Sequence, residues 1–150
     1  MSVRNPLQRG FTLAEILTAL VVIVVLAAIA IPMWRVHTLR VRRADATAAL
    51  IAVQAAQDAW FGRHARYADG AQLTRAAPEG LGLKNQSERG FYDLELERRE
   101  DGLGYVATAR ASGRAGQSDD MRCVEFSLDQ NNRRRALDSE GKDRSADCWR

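Results

Sequence analysis

The stretch GFTLAEILTALVVIVVLAAIAI, residues 10–31, decides the fold of this chain. From position 11 onward it would form a helix of about 31 Å, which matches the hydrocarbon thickness of a bilayer. A carboxylate near the middle of such a segment costs roughly 2.5 to 3.5 kcal/mol, and less near its end. We therefore expect Glu15 to have a partner or to lie at the membrane interface.

Two common kinds of segment, a signal peptide and a plain membrane anchor, could account for this apolar stretch. A secretory signal peptide would be cut after the small residues at 28–30, and would give a secreted soluble protein that begins near Ile31. A plain single-pass anchor would explain the length of the segment but not its carboxylate. Glu15 inside the apolar run and Pro32 just after it argue against the signal peptide.

The N-terminus resembles that of the type IV prepilins. A short basic leader ends in Gly10, and the residues that follow are Phe11, Thr12, Leu13, Ala14 and Glu15. The resemblance implies that a prepilin peptidase cuts after Gly10 and methylates the new amine of Phe11. It also implies that Pro32 kinks the helix and that Glu15 pairs with the N-terminal amine of a neighbouring subunit. An amine and a carboxylate that lose their water together would dock that subunit in register.

The C-terminal part looks most like the PilE-type minor pilins. There a glutamine and an acid precede the first cysteine, as Gln117 and Asp120 precede Cys123 here, and Cys148 follows near the end. The resemblance implies a disulfide between Cys123 and Cys148 that closes a C-terminal loop, residues 123–148. A bridge across such a loop is worth roughly 3 to 4 kcal/mol. The alternative is two free thiols in a cytosolic protein.

The remaining periodicity predicts an α+β protein with the type IV pilin fold. Residues 32–62 read as an amphipathic spine helix, and residues 63–150 as a globular head that starts with a connecting loop, residues 63–90, containing a short helical turn. Antiparallel strands are expected within residues 91–129, the second of them over residues 105–111 and the third starting at 122–123. The helix face expected to pack on this sheet consists of Ala44, Ala48, Ile51, Ala55 and Ala59, widened by Leu50, Val53 and Trp60.

Net charge says little about a nucleic-acid partner. The chain has 22 basic and 19 acidic side chains, and loss of the two leader arginines leaves 20 against 19. Arg35, Arg40, Arg42 and Arg43 follow the apolar span, so the positive-inside rule would place the head in the cytoplasm. The two cysteines favour an oxidising compartment instead. We therefore predict a single-pass inner-membrane protein with a periplasmic head, later part of an extracellular pilus, whose arginines face neighbouring subunits or solvent.

Catalytic and metal sites find little support. His37 and His64 accompany no nucleophile motif, so we predict no catalytic residues and no cofactor. Asp138, Glu140 and Asp143 surround a glycine, but their spacing fits no defined calcium loop. An acidic, solvated turn is the preferred interpretation, and no metal site is predicted.

The sequence therefore predicts a structural subunit, a minor pilin that primes assembly or sits at the tip of pili used in adhesion, twitching motility or DNA uptake. Its expected partners are major and minor pilin subunits, the prepilin peptidase and the inner-membrane assembly platform. Arg133, Arg134 and Arg135 are candidate DNA contacts, although acidic residues lie near them and such runs usually face solvent. A type II secretion pseudopilin and a DNA-binding minor pilin are the alternatives within this class.

Overall fold

The structure is a computed structural model that describes residues 11–113 and 117–150. The predicted leader, residues 1–10 with Gly10 at its end, lies outside the described residues. The chain divides into two compact units, one that ends at Thr38 and one from Leu39 to Arg150.

The first unit is the N-terminal part of helix α1, Leu13–His64. The helix begins where it does because Thr12 and Glu15 form a reciprocal cap. The backbone N–H and the hydroxyl of Thr12 both donate to the Glu15 carboxylate at 2.8 Å, and the Glu15 N–H donates to the Thr12 hydroxyl at 3.3 Å. The apolar side chains that follow are exposed, and the segment is long and apolar enough to cross a membrane. Pro32 lies inside the helix.

The second unit contains the rest of α1, and the face that it buries differs from the predicted one. Its buried residues lie four, three, four and three positions apart: Ala46, Leu50, Val53, Gln57 and Trp60. The main stripe of the predicted face was wrong, since Ala44, Ala48, Ile51, Ala55 and Ala59 are all exposed. The residues expected to widen it, Leu50, Val53 and Trp60, are buried as predicted. Alanine occurs all round this part of the helix, so the face that combines Leu50, Val53 and Trp60 is buried, because together they remove more apolar area from water than Ile51 alone.

Helix α1 also ends later than its glycine suggested. The predicted end was Gly62, but the last helical residue is His64. Ala65 follows in the left-handed region with φ 53°, and its N–H donates to the carbonyl of Phe61 at 2.9 Å. In the connecting loop the expected short helical turn is present as a 3-10 helix, Gly70–Gln72.

Four antiparallel strands form one sheet in the order β1-β2-β3-β4: β1 Tyr92–Arg98, β2 Tyr105–Ala111, β3 Glu125–Asp129 and β4 Arg134–Leu137. The expected antiparallel sheet is confirmed. The third strand begins at Glu125, so Cys123 precedes it instead of opening it. Strand β4 is an edge strand that begins with two arginines, and such charged, short edges give little hydrophobic periodicity.

The core lies between one face of this sheet and α1. Aromatic side chains from three strands fill it, with Tyr92, Tyr105 and Phe126 all fully buried. A short helix, α2 Ser145–Cys148, closes the chain against β4. The predicted disulfide between Cys123 and Cys148 is present and ties α2 to the segment before β3.

Candidate nucleic-acid interface

A basic cleft lies over the disulfide. Its volume is about 510 Å³, and we call it the disulfide cleft; its charged lining residues are Arg40, Arg43, Arg122, Arg144, Asp147 and Arg150. A smaller depression of about 160 Å³ adjoins it, shares Arg40, Arg43 and Arg150, and adds Arg134 and Trp149; we include this depression in the disulfide cleft. The cleft exists because the disulfide holds the C-terminal segment beside the arginine-bearing face of α1.

Arg43 is fixed by a buried carboxylate. Its Nε donates to Asp120 Oδ2 at 2.7 Å and a terminal nitrogen donates to Oδ1 at 2.9 Å, a bidentate geometry. The Asp120 side chain is only 1% exposed. These hydrogen bonds raise the pKa of Arg43 above its ordinary value. Arg43 therefore presents part of its guanidinium to the cleft while its charge is largely balanced by Asp120.

Arg144 is held in a similar way by Asp138. The Asp138 carboxylate accepts from the N–H groups of Glu140 and Lys142, at 3.0 and 2.9 Å, and from Arg144 Nε at 2.9 Å. The Lys142 N–H is the largest of the causes that lower the pKa of Asp138. Across the cleft, Arg122 lies 3.9 Å from Asp147, and both side chains are exposed, so this pair is weak.

Arg134 packs over an aromatic ring in the smaller depression. Its guanidinium carbon lies 5.3 Å from the centre of the Trp149 ring. The indole N–H of Trp149 donates to the Arg135 carbonyl at 2.9 Å, and the ring meets Phe126 edge-on at 5.8 Å. Trp149 is thus a fixed platform that holds Arg134 in place.

The balance of charge in and around the cleft is positive. Six arginines line the two depressions, and three carboxylates pair with members of this set, which leaves +3. Among the described residues, no carboxylate lies within 4.0 Å of the guanidinium groups of Arg40, Arg134 or Arg150. These three arginines are available to an anionic partner.

The predicted run of three arginines does not act as one group. Successive side chains of a strand point to opposite faces, so Arg134 shares the face of buried Ala136 while Arg135 points away. Arg135 lies 3.9 Å from Asp143. Arg133 belongs to the turn before β4, and its N–H donates to Asp129 at 2.9 Å. Of the three, Arg134 alone lines the cleft.

The acidic turn is occupied by protein donors. Asp138 accepts from two backbone N–H groups and Arg144, and Asp143 accepts from the N–H and hydroxyl of Ser145 at 2.8 and 2.6 Å. Glu140 is exposed. In the described parts of the chain, no three potential metal ligands come together.

The sequence of this chain matches the models of two known protein families. The model of a family described as "Type IV minor pilin ComP, DNA uptake sequence receptor" matches residues 32–127, and the prokaryotic N-terminal methylation motif matches residues 5–31. The chain belongs to the ComP family of type IV minor pilins. The proteins of this family are structural subunits. Membership implies that this pilin associates with other pilins and undergoes prepilin processing. The methylation motif and the apolar helix fit a membrane-anchored pilin.

Two individual proteins are similar to this pilin. The chain is 40% identical over 75 residues to the type IV major pilin protein PilA of Myxococcus xanthus strain DK1622, which covers 50% of this chain and 34% of that protein. The match thus spans about a third of the length of that relative. A solved type IV pilin from Shewanella oneidensis is 24% identical, with a TM-score of 0.46, over 64% of this chain and 89% of that one.

The family match covers only part of the lining of the cleft. It includes Arg40, Arg43 and Arg122 but stops before Arg134, Arg144 and Arg150. The arginines after the apolar span were expected to face neighbouring subunits or solvent, which stays a prediction, and two of them also make contacts within the head. Arg43 binds Asp120, and Arg42 lies over the Phe91 ring at 5.0 Å. The sequence signal that could have found the cleft is the disulfide, because it carries the C-terminal arginines toward the helix.

Proposed function

We propose that this minor pilin binds double-stranded DNA in the disulfide cleft, as a step in DNA uptake. The observation that carries the proposal is the convergence of Arg40, Arg134 and Arg150, which have no carboxylate partner among the described residues, beside arginines already held in place. A guanidinium donates two parallel N–H groups to a phosphate, so such a cluster suits the DNA backbone. The description of the matched family names the same ligand.

Duplex DNA fits this surface better than a single strand. Proteins that bind single strands stack the bases on free aromatic rings. The aromatic side chain that lines the depression beside the cleft is Trp149, and its ring already carries Arg134 and contacts Phe126. The cleft therefore offers charge for phosphates without an open stacking surface.

The test is DNA binding by the full chain in detergent micelles across a series of salt concentrations. A variant with Arg40, Arg134 and Arg150 all replaced by alanine should bind duplex DNA more weakly. Each lost phosphate contact removes about 0.9 from the slope of log K against log salt, so the slope should fall by roughly 3.

The matched control replaces Arg63, Arg66 and Arg75 by alanine. This triple variant loses the same charge, and all three side chains are exposed and line neither depression of the cleft. It should keep the slope of the unmodified protein. Equal losses in both triple variants would show that net charge, and not the cleft, controls binding. No binding by the unmodified protein at low salt would refute the proposal.

We also infer that the N-terminus serves assembly. In this proposal a prepilin peptidase cuts after Gly10 and methylates Phe11, and Pro32 bends the helix within the filament. Glu15 Oε2 accepts both Thr12 donors, whereas Oε1 accepts no hydrogen bond from the described residues and is available to the amine of a neighbouring subunit. The chain would sit in the inner membrane with its head in the periplasm and then join a pilus, with major and minor pilins and the assembly platform as partners.

Two measurements test the assembly proposal. The mass of the mature protein should show loss of residues 1–10 and one added methyl group on Phe11, whereas an N-terminus near Ile31 would refute the processing. Glu15→Val should leave insertion and the folded head unchanged but impair incorporation into filaments. Normal incorporation of that variant would refute the pairing.

A further inference from the structure

A second concave surface lies on the head, lined by α1 and the segment that precedes β1. Its volume is about 310 Å³, and we call it the Asp45 socket. Small and apolar residues form most of its wall, among them Ala48, Ala49, Ala52 and Leu83, with Asp45 among the lining residues. Asp45 is a carboxylate with 9% of its surface exposed.

The Asp45 carboxylate has an unmet requirement. Oδ1 accepts one long hydrogen bond, from the N–H of Arg89 at 3.3 Å, and the buried Oδ2 has no partner among the described residues. Buried carboxylates in proteins are almost always paired with a cation or with several donors. The cationic side chain among the lining residues, Lys84, instead donates its ammonium to both oxygens of Glu88 at 3.1 and 3.0 Å. Within the described part of the chain, the socket thus lacks a positive group for this carboxylate.

We propose that a lysine side chain of a neighbouring pilin subunit docks in the Asp45 socket. One free oxygen beside an engaged one suits a point-like ammonium better than the two-pronged guanidinium of arginine. The methylene stem of lysine would lie along the alanine wall, and a small rotation of the Asp45 side chain toward the socket would bring its buried Oδ2 to the ammonium. The inference concerns subunit contacts and does not depend on the DNA cleft.

The surroundings of the socket leave room for a second subunit. Ala48 belongs to the exposed face of α1 that was expected to be buried in the head, and Ala52, one turn further along, is exposed as well. Side chains as small as these let another backbone approach closely. Ala48 and Ala52 also line the socket, so a neighbour packed on this face would have a side chain within reach of Asp45.

The first experiment titrates the full chain in detergent micelles with N-acetyl-lysine methylamide and follows the backbone amide NMR signals of Ala48, Ala49 and Ala52. N-acetyl-norleucine methylamide has the same type of aliphatic stem without the ammonium and serves as the control probe. Saturable shifts are expected with the lysine probe at roughly millimolar affinity. Equal binding of both probes, or no binding of the lysine probe, would overturn the proposal.

Variants then locate the site. Asp45→Asn should weaken binding of the lysine probe by about tenfold or more, since a hydrogen bond to a charged group is lost, whereas Asp58→Asn, an exposed acid on the same helix, should change nothing. If Asp45→Asn failed to fold, Ala52→Leu would still test the site by filling its wall. Binding that appeared only in Lys84→Met would show that this chain's own lysine fills the socket, and would overturn the proposal.

The identity of the neighbour is tested in cells that assemble pili. A photo-crosslinking residue at position 48 of the full chain should capture a pilin peptide that contains lysine, and Asp45→Asn should reduce the yield about tenfold. A yield unaffected by Asp45→Asn, or capture without any pilin lysine, would overturn the proposal.

Discussion

The ion pair between Arg43 and Asp120 should be the most sensitive electrostatic contact of the head. Replacing Arg43 with methionine keeps most of the side-chain volume but removes both charge-assisted hydrogen bonds, at 2.7 and 2.9 Å. Among the described residues Asp120 would keep one side-chain donor, Gln117 at 3.4 Å, while its own side chain is 1% exposed. The result is a buried carboxylate without a counter-ion.

Removing one partner of a buried pair costs about 3 to 5 kcal/mol, because the remaining charge stays desolvated. The Arg43 side chain is 18% exposed, which places this pair at the lower end of that range. A loss of about 3 kcal/mol in a head of this size lowers Tm by roughly 10 to 20 °C. Near-ultraviolet circular dichroism of the full chain in micelles follows the unfolding of the head through its tryptophan and tyrosine signals.

The double variant Arg43→Met/Asp120→Asn tests the cause. With the charge gone from both partners it should recover much of the lost stability, since a neutral amide is far cheaper to bury than a carboxylate. Strictly additive losses in the two single variants and the double variant would refute the reasoning. A loss below about 1 kcal/mol in Arg43→Met would do so as well, because it would be the value of an exposed pair.

Three further predictions concern the same head. Replacing both Cys123 and Cys148 with serine opens a loop whose ends are 25 residues apart. Denaturation should show a loss of about 3.5 kcal/mol in the free energy of unfolding, and the salt series should show weaker DNA binding. Ala65→Gly should raise that free energy by about 1 kcal/mol, because Ala65 has φ 53° and glycine carries no left-handed penalty; unchanged or lower stability would contradict this. The pKa of Asp138 is lowered in the folded state from its ordinary 3.8, so its stabilising contribution is present above that value and is lost as the pH falls through the lowered pKa; Asp138→Asn should flatten this part of an acid titration followed by circular dichroism.

Local patterns in the sequence were enough for the strands that alternate strongly. Strand β2 has the predicted bounds, Tyr105–Ala111. Its small and aromatic buried residues occupy every second position, which is the alternation typical of a strand. Strand β4 could not be found in this way, since it has four residues and two of them are arginines. Its place in the sheet depends on pairing with β3 and on the Trp149 N–H that binds the Arg135 carbonyl, and both are tertiary contacts.

The disulfide cleft was only partly predictable for a related reason. Arg134 was recognised from its basic neighbours, but its companions Arg40, Arg43 and Arg144 are distant in sequence and come together through the fold. The same holds for Asp45, whose burial follows from the face that α1 turns toward the sheet. The sequence alone did not single out that face, because alanine occurs on every side of this segment. Whether Leu50 or a nearby alanine is buried is decided by tertiary packing.

The cleft and the socket lie on different sides of one helix, and this has a functional consequence. Residues 40, 43, 47 and 51 line the depressions of the cleft, whereas residues 45, 48, 49 and 52 line the socket. At 3.6 residues per turn these two sets flank the buried face of α1 on opposite sides. A ligand as wide as duplex DNA on one side would therefore leave the other side open to a subunit. If both proposals hold, Asp45→Asn should weaken subunit contacts without changing the salt slope of DNA binding, and replacement of Arg40, Arg134 and Arg150 should do the reverse.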